Sequence, residues 1–177
     1  MIRLPSAGLA PPQEILRPVR PGYIAVTLLV SLALNLLALP GFLQVLRPDF
    51  IALTLIYWVV YHPRRVGFLP AWLLGLAMDV ADGSLFGQHA FAYAVLMYLA
   101  ILLHRRIVMF GMRQQVLHVV AILSVAQLVM LVIRLMSGAD FPSVLYFAPS
   151  IVGALAWPPL FNLIRVPLRP RADPDAV

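Results

Sequence analysis

Apolar stretches fill most of the chain between residues 23 and 164, over residues 23–43, 50–61, 66–80, 86–103, 116–136 and 141–164. A helix needs about 20 residues at 1.5 Å each to cross roughly 30 Å of hydrocarbon. The first, fourth, fifth and sixth stretches meet or approach that length. The second and third are shorter, and His62, Pro63, Arg64 and Arg65 lie between them. As two halves of a re-entrant hairpin they would leave both arginines near the bilayer midplane, at a cost of about 2.5 kcal/mol or more each. Two short, complete crossings avoid that cost, with local thinning of the bilayer or short helical extensions making up the length. The expectation is an all-α, polytopic transmembrane bundle of six helices. With 62% apolar side chains and a mean hydropathy of +0.93, against about 45–50% apolar in ordinary soluble domains, the default of a soluble globular domain is excluded.

The arginines give the bundle a direction. The 13 basic residues are all arginine and the formal net charge is +6. Under six crossings, Arg3, Arg17, Arg20, Arg64, Arg65, Arg105, Arg106, Arg113, Arg165, Arg169 and Arg171 fall on one side, leaving Arg47 and Arg134 elsewhere. Asp49, Asp79, Asp82 and Asp140 gather toward the other side. The positive-inside rule then puts both termini in the cytoplasm and accounts for the basic balance without nucleic acid. The expected organisation is a cytoplasmic N-terminal segment at residues 1–22, a six-helix transmembrane domain at 23–166 and a flexible cytoplasmic tail at 167–177. Several prolines precede the first stretch and no clear small-residue cleavage site follows it, so it is read as a retained span and not a cleaved signal peptide. The absence of cysteine removes disulfides, thiol nucleophiles and Cys-ligated metals.

Polar and helix-breaking residues carry whatever chemistry the chain has. Asp79, Asp82, Gly83, Gly87, Gln88 and His89 surround the turn between the third and fourth stretches. Asp79 ends an otherwise apolar run and has three readings open to it: pairing with an arginine, capping the next turn, or reaching the interface. The functional alternatives are a proton or substrate site and a partner contact. Asp79 and Asp82 have the residue types of an acid and base pair, but no nucleophile or electrophile accompanies them. His62, His89, His104 and His118 fall at different depths and form no HExxH or similar ligand group, so no metal and no cofactor is expected.

Other marks read first as packing. Pro48, Asp49 and Phe50 open the second stretch, while Tyr57, Trp58, Tyr61, His62 and Pro63 close it as an aromatic anchor at the headgroup region. Arg47 beside Asp49 suggests a local ion pair. Gly67, Ala71 and Gly75, with Ala90 and Ala94 in the next stretch, allow close helix approach within the bundle or between copies. Arg134 stands near the outer end of the fifth stretch, where snorkelling or pairing with Asp140 would accommodate it. Asn35 and Gln127 are expected to hydrogen-bond neighbouring helices, and Trp157, Pro158 and Pro159 to kink the sixth stretch. Ser124, Ser150 and His118 are too scattered to suggest an intramembrane enzyme.

Taken in chain order, these marks resemble the MreD family of bacterial rod shape-determining membrane proteins. The matching pattern is Arg47-Pro48-Asp49-Phe50, Tyr57-Trp58, His62-Pro63-Arg64-Arg65-Val66-Gly67, Gly75, Asp79, Gly83-Ser84-Leu85-Phe86-Gly87-Gln88-His89-Ala90 and Trp157-Pro158, spanning about residues 22–166. The resemblance implies a non-enzymatic scaffold or regulatory subunit of the rod complex, or elongasome, in the bacterial inner membrane. It implies MreC as partner, RodA and its class B penicillin-binding transpeptidase within the complex, MreB and RodZ as further candidates, and membrane lipids around the bundle. It also implies a helix arrangement like that of the substrate-binding subunits of energy-coupling-factor transporters. The alternative reading is therefore a small-molecule-binding subunit of a membrane transporter. The candidate structural or partner-binding residues are Arg47, Pro48, Asp49, Tyr57, Trp58, His62, Pro63, Arg65, Gly75, Asp79, Gly83, Gly87, Gln88, His89, Arg134, Trp157 and Pro158.

Overall fold

The computed structural model describes residues 19–168, and every regular element among them is helical. The helices are α1 Pro21–Leu36, α2 Phe42–Leu46, α3 Phe50–Tyr61, α4 Phe68–Asp82, α5 Gln88–Met109, α6 Met112–Met136 and α7 Ala148–Arg165. Helix α2 is a single short turn leading into α3, so the bundle has the six main helices the sequence leads one to expect. Arg3, Arg17, Arg169 and Arg171, with nearly all of both terminal segments, lie outside the described residues.

Helix length differs from expectation at the start. Four segments are long and apolar enough to cross a bilayer: Phe42–Tyr61, Gln88–Met109, Met112–Met136 and Leu145–Leu168. The first apolar stretch is helical only to Leu36, because Pro40 disfavours helical backbone at Leu39 and Gly41 adopts a left-handed φ of 52°. The residues beyond this break join α2 and α3 into one of the four long segments. Helix α1, at 16 residues, reaches only about 24 Å.

The shortest of the expected spans forms the centre of the bundle. Every residue from Ile51 to Val60 is buried, and α3 packs against α1, α5, α6 and α7. A helix that is apolar all round belongs in the interior. The outer surface is apolar too: Leu29, Leu69, Leu102, Leu117 and Leu163 are exposed, as lipid contact permits.

Between apolar surfaces of this kind, polar side chains and small residues decide which helices pair. Thr27, Ser31 and Asn35 recur every four residues on the α1 face turned to α3. There Trp58 Nε1 donates to Thr27 Oγ1 at 2.9 Å, and the hydroxyls of Ser31 and Thr54 meet at 2.6 Å. Helices α4 and α5 pair by close approach: a methyl on Gly75 would lie 2.3 Å from Ala90 Cα. Ala71 and Ala90 are fully buried, so this small-residue pattern serves internal packing.

At the helix ends rich in arginine, Tyr57, Trp58, Tyr61, Trp157 and Phe161 form an aromatic cluster, with the Tyr57 and Trp58 rings 5.2 Å apart edge to face. Gln115 is its polar pin, accepting from Tyr61 Oη at 3.0 Å and Trp157 Nε1 at 3.2 Å while donating to the Phe110 carbonyl. Pro158 and Pro159 lie inside α7, which continues to Arg165.

Candidate functional site

The opposite end of the bundle holds two carboxylates bound by many donors. Asp79 sits in the last turn of α4, where Gly83 takes a left-handed φ of 58° and its N–H donates to the Asp79 carbonyl. That glycine ends the helix and turns the chain back toward α5. Helix α5 begins after Gly87, which has no side chain to satisfy the first amides. The Asp79 carboxylate supplies what is missing. It accepts from Gly87 N at 2.8 Å, His89 N at 2.7 Å, His89 Nδ1 at 2.9 Å and Ser84 Oγ at 3.0 Å. Of the three readings open to Asp79, the structure shows capping of the next helix, with a histidine and not an arginine as its side-chain partner from α5.

Asp49 plays the same part at α3. Its side chain caps the helix through Ala52 N at 2.9 Å and accepts from Asn35 Nδ2 at 2.9 Å and Tyr93 Oη at 2.8 Å. Asn35 completes the junction by accepting from Phe50 N at 2.9 Å. One carboxylate thus ties α1, α3 and α5 together. Asn35 does bond a neighbouring helix, from the last turn of α1. The expected Arg47–Asp49 ion pair is not formed: Asp49 is committed elsewhere, and Arg47 Nη1 donates to the Leu37 carbonyl at 3.0 Å. Nor does Arg134 pair with Asp140; the close contacts between basic and acidic side chains among the described residues are those of His89 Nδ1 with Asp79 at 2.9 Å and of His89 Nε2 with Asp82 at 3.6 Å.

Ser84, His89 and Asp79 have the residue types of a hydrolase triad, and their geometry does not make one. A triad needs serine and aspartate on different ring nitrogens. Here the Ser84 hydroxyl, at 3.3 Å, and Asp79 both converge on Nδ1, while Nε2 faces Asp82 at 3.6 Å. Among the described residues no three or more His, Cys, Asp or Glu are grouped to hold a metal. His118 Nδ1 bonds the Gln114 carbonyl of its own helix, and His104 Nδ1 that of Ile101. His62 packs on Trp58 between α3 and α4, where burial, with help from Arg65, pushes its pKa below the ordinary histidine value.

A cavity of about 640 Å³ opens among the two carboxylate centres and the ends of α6 and α7. The structure brings Arg47, Pro48, Asp49, Gly83, Gln88, His89 and Arg134 to its lining, with Asp79 and Gly87 just behind. Tyr57, Trp58, His62, Pro63, Arg65, Trp157 and Pro158 belong to the arginine-rich end, and Gly75 lies at the α4–α5 contact. Tyr93 escapes notice in the sequence because it looks like one more aromatic in an apolar helix. Its signal is spacing: it follows His89 by four residues and so shares its face of α5. Tyr93 is fully buried, so Tyr93→Phe is expected to cost about 2 kcal/mol, the value of a hydrogen bond to a charged acceptor. Thermal unfolding in detergent measures it, and an unchanged midpoint would mean that the bond contributes nothing.

A family model described as rod shape-determining protein MreD matches residues 19–166. The rod shape-determining protein MreD of Haemophilus influenzae is 36% identical over 70 residues, which is 40% of this chain and 43% of that protein. The aligned region therefore spans less than half of that relative. No solved structure matches.

Proposed function

The chain belongs to the MreD family of rod shape-determining proteins, and from that premise we propose that it is a non-enzymatic scaffold or regulatory subunit of the cell-wall elongation complex. The match across residues 19–166 carries this reading. It covers the whole helical bundle and not one motif. Physical features support it. The longest connection between helices among the described residues, apart from the α1–α3 link that contains α2, runs from Ser137 to Phe147, too short for a folded catalytic unit. Asp49, Asp79 and Gln115 are spent on joining helices, and much of the bundle's outer surface is apolar.

Such a bundle can hold the transmembrane segments of partners in fixed relative positions, which lowers the entropic cost of assembling the rest and biases a partner between two states. MreC is the first proposed partner, with RodA and a class B penicillin-binding transpeptidase in the same assembly and MreB and RodZ as further members. The inner membrane is the proposed location, with the arginine-rich helix ends facing the cytoplasm. A helix arrangement like that of energy-coupling-factor subunits belongs to this proposal as fold alone.

The test is a mild-detergent purification of the tagged chain from its own cells, with quantitative mass spectrometry. Enrichment of an MreC-like protein together with cell-wall synthases is the expected result. Reproducible absence of both, with an energising transporter subunit in their place, would overturn the scaffold reading in favour of the transporter one.

A further inference from the structure

We propose that the cavity at the Asp49–His89 end binds a ligand carrying an oxyanion, of the phosphate or carboxylate kind, with Arg134 as its main charged contact. This goes beyond the scaffold role and stands independently of it. At about 640 Å³ the cavity falls within the roughly 300–1,000 Å³ usual for small-molecule sites. Leu123, Ala126 and Met130 of α6 give it an apolar wall, and the junctions of α3 and α5 give it a polar one.

The hydrogen-bond inventory of that polar lining is one-sided. Its acceptors are largely consumed within the fold: Asp49 takes three donors, Asn35 Oδ1 takes Phe50 N, Gln44 Oε1 takes Leu39 N, and Gln127 Oε1 takes Ser150 Oγ. Its donors are not. Arg134 has no carboxylate partner among the described residues, and Arg47 uses one N–H on the Leu37 carbonyl. The side-chain amides of Gln44 and Gln88 donate to nothing among the described residues. Asp82 also lines the cavity, its side chain 40% exposed and its carboxylate 3.6 Å from His89 Nε2. The donors left unused are two guanidinium groups and two amides, against the Asp82 carboxylate and the Gln88 side-chain carbonyl as unused acceptors, and the guanidinium groups call for an acceptor-rich, negatively charged group.

That chemistry could arrive as a free anion or as the headgroup of an anionic lipid, since Arg134 is exposed near the end of α6. The experiment uses the full chain in phosphatidylcholine nanodiscs. Inorganic phosphate is titrated in one arm, and phosphatidylglycerol is mixed into the discs in the other. Native mass spectrometry counts bound probe, and the unfolding midpoint reports its effect on the fold.

One probe is expected to bind at one per chain, and Arg134→Gln to weaken it about tenfold, the effect of losing one charge-assisted contact. Gln88→Ala should weaken it about threefold. It serves as the second variant if Arg134→Gln does not fold. Arg105→Gln, at the far end of α5, should leave binding unchanged. Binding of phosphate alone would identify a free-anion site, and binding of phosphatidylglycerol alone a headgroup site. No binding of either probe, or equal binding to wild type and both cavity variants, would overturn the proposal.

Discussion

Gly75→Ala is expected to lower the stability of the bundle by at least about 3 kcal/mol, the upper part of the range for overpacking, and Gly75→Leu to abolish folded protein in the membrane. The added methyl would come within 2.3 Å of Ala90 Cα and 2.5 Å of Ala90 N. Those are backbone atoms, so no side chain can rotate away. The two helices must separate, and with them the Asp79 bridge to the start of α5. Gly67 is the control, because it begins the same helix at φ −92° and has nothing within 4 Å of its added carbon. Gly67→Ala should change stability by less than about 0.5 kcal/mol. Unfolding midpoints in detergent, together with rescue of cell shape in a deletion strain, measure both. Equal tolerance at the two positions would show that the α4–α5 contact is not as tight as its geometry implies.

The contrast between these glycines also shows what a sequence can and cannot reveal here. Spacing puts Gly67, Ala71 and Gly75 on one face, which is enough to expect close packing. Which of them meets a backbone depends on where α5 lies, and no local pattern encodes that. The same limit explains α3. Its length looks inadequate for a span, because hydropathy assumes that a helix meets lipid; surrounded by four other helices, it meets protein along its whole length. Phe50–Tyr61 is nevertheless bounded correctly in the sequence, since Asp49 caps it at one end and Pro63 follows the other. The first stretch overruns for the opposite reason: apolar residues continue past Leu36, while Pro40 and Gly41 decide the backbone.

Polar residues are easiest to read where they interrupt an apolar run and hardest where they resemble it. Asp79 and His89 stand out, and Asp79, at the end of an apolar run, has capping of the next turn among its open readings. Thr27 and Ser31 did not stand out, although with Asn35 they form the four-residue stripe that attaches α1 to α3. A small hydroxyl residue in a membrane helix can bond its own backbone, as both do: Thr27 Oγ1 donates to the Ile24 carbonyl and Ser31 Oγ to that of Thr27. Only the neighbouring helix distinguishes that local bond from an interhelical one. Gln115 is hidden likewise: it reads as the polar start of α6 while serving two aromatic partners from α3 and α7.

Removing the Asp79 carboxylate should be nearly as damaging as crowding Gly75, by about 3–5 kcal/mol, the range for breaking a buried charged network. The side chain is 1% exposed as a residue and accepts from four donors on three residues. In Asp79→Ala the amides of Gly87 and His89 lose their acceptor, and these are the first donors of α5, which no residue of the helix itself can satisfy. Asp79→Asn separates charge from shape. If its oxygen takes the place of Oδ1, the bonds from Ser84 and both His89 donors survive, while the new amide faces the Gly87 N–H that Oδ2 used to receive. Asn should therefore cost less than Ala but remain well below wild type. His89→Ala made alone and with Asp79→Ala closes a double-mutant cycle that isolates the imidazole bond from the two backbone caps. If the carboxylate acts mainly as a cap, the double variant should be little worse than Asp79→Ala, and His89→Ala much milder than either. A Tyr93→Phe variant in the same series tests how far the damage travels along α5: Tyr93 bonds Asp49 and not Asp79, so its effect should add to that of Asp79→Ala if the two junctions are independent. An effect of Asp79→Ala no greater than that of Tyr93→Phe would mean that water or lipid headgroups satisfy the start of α5, and that the carboxylate is dispensable to the fold.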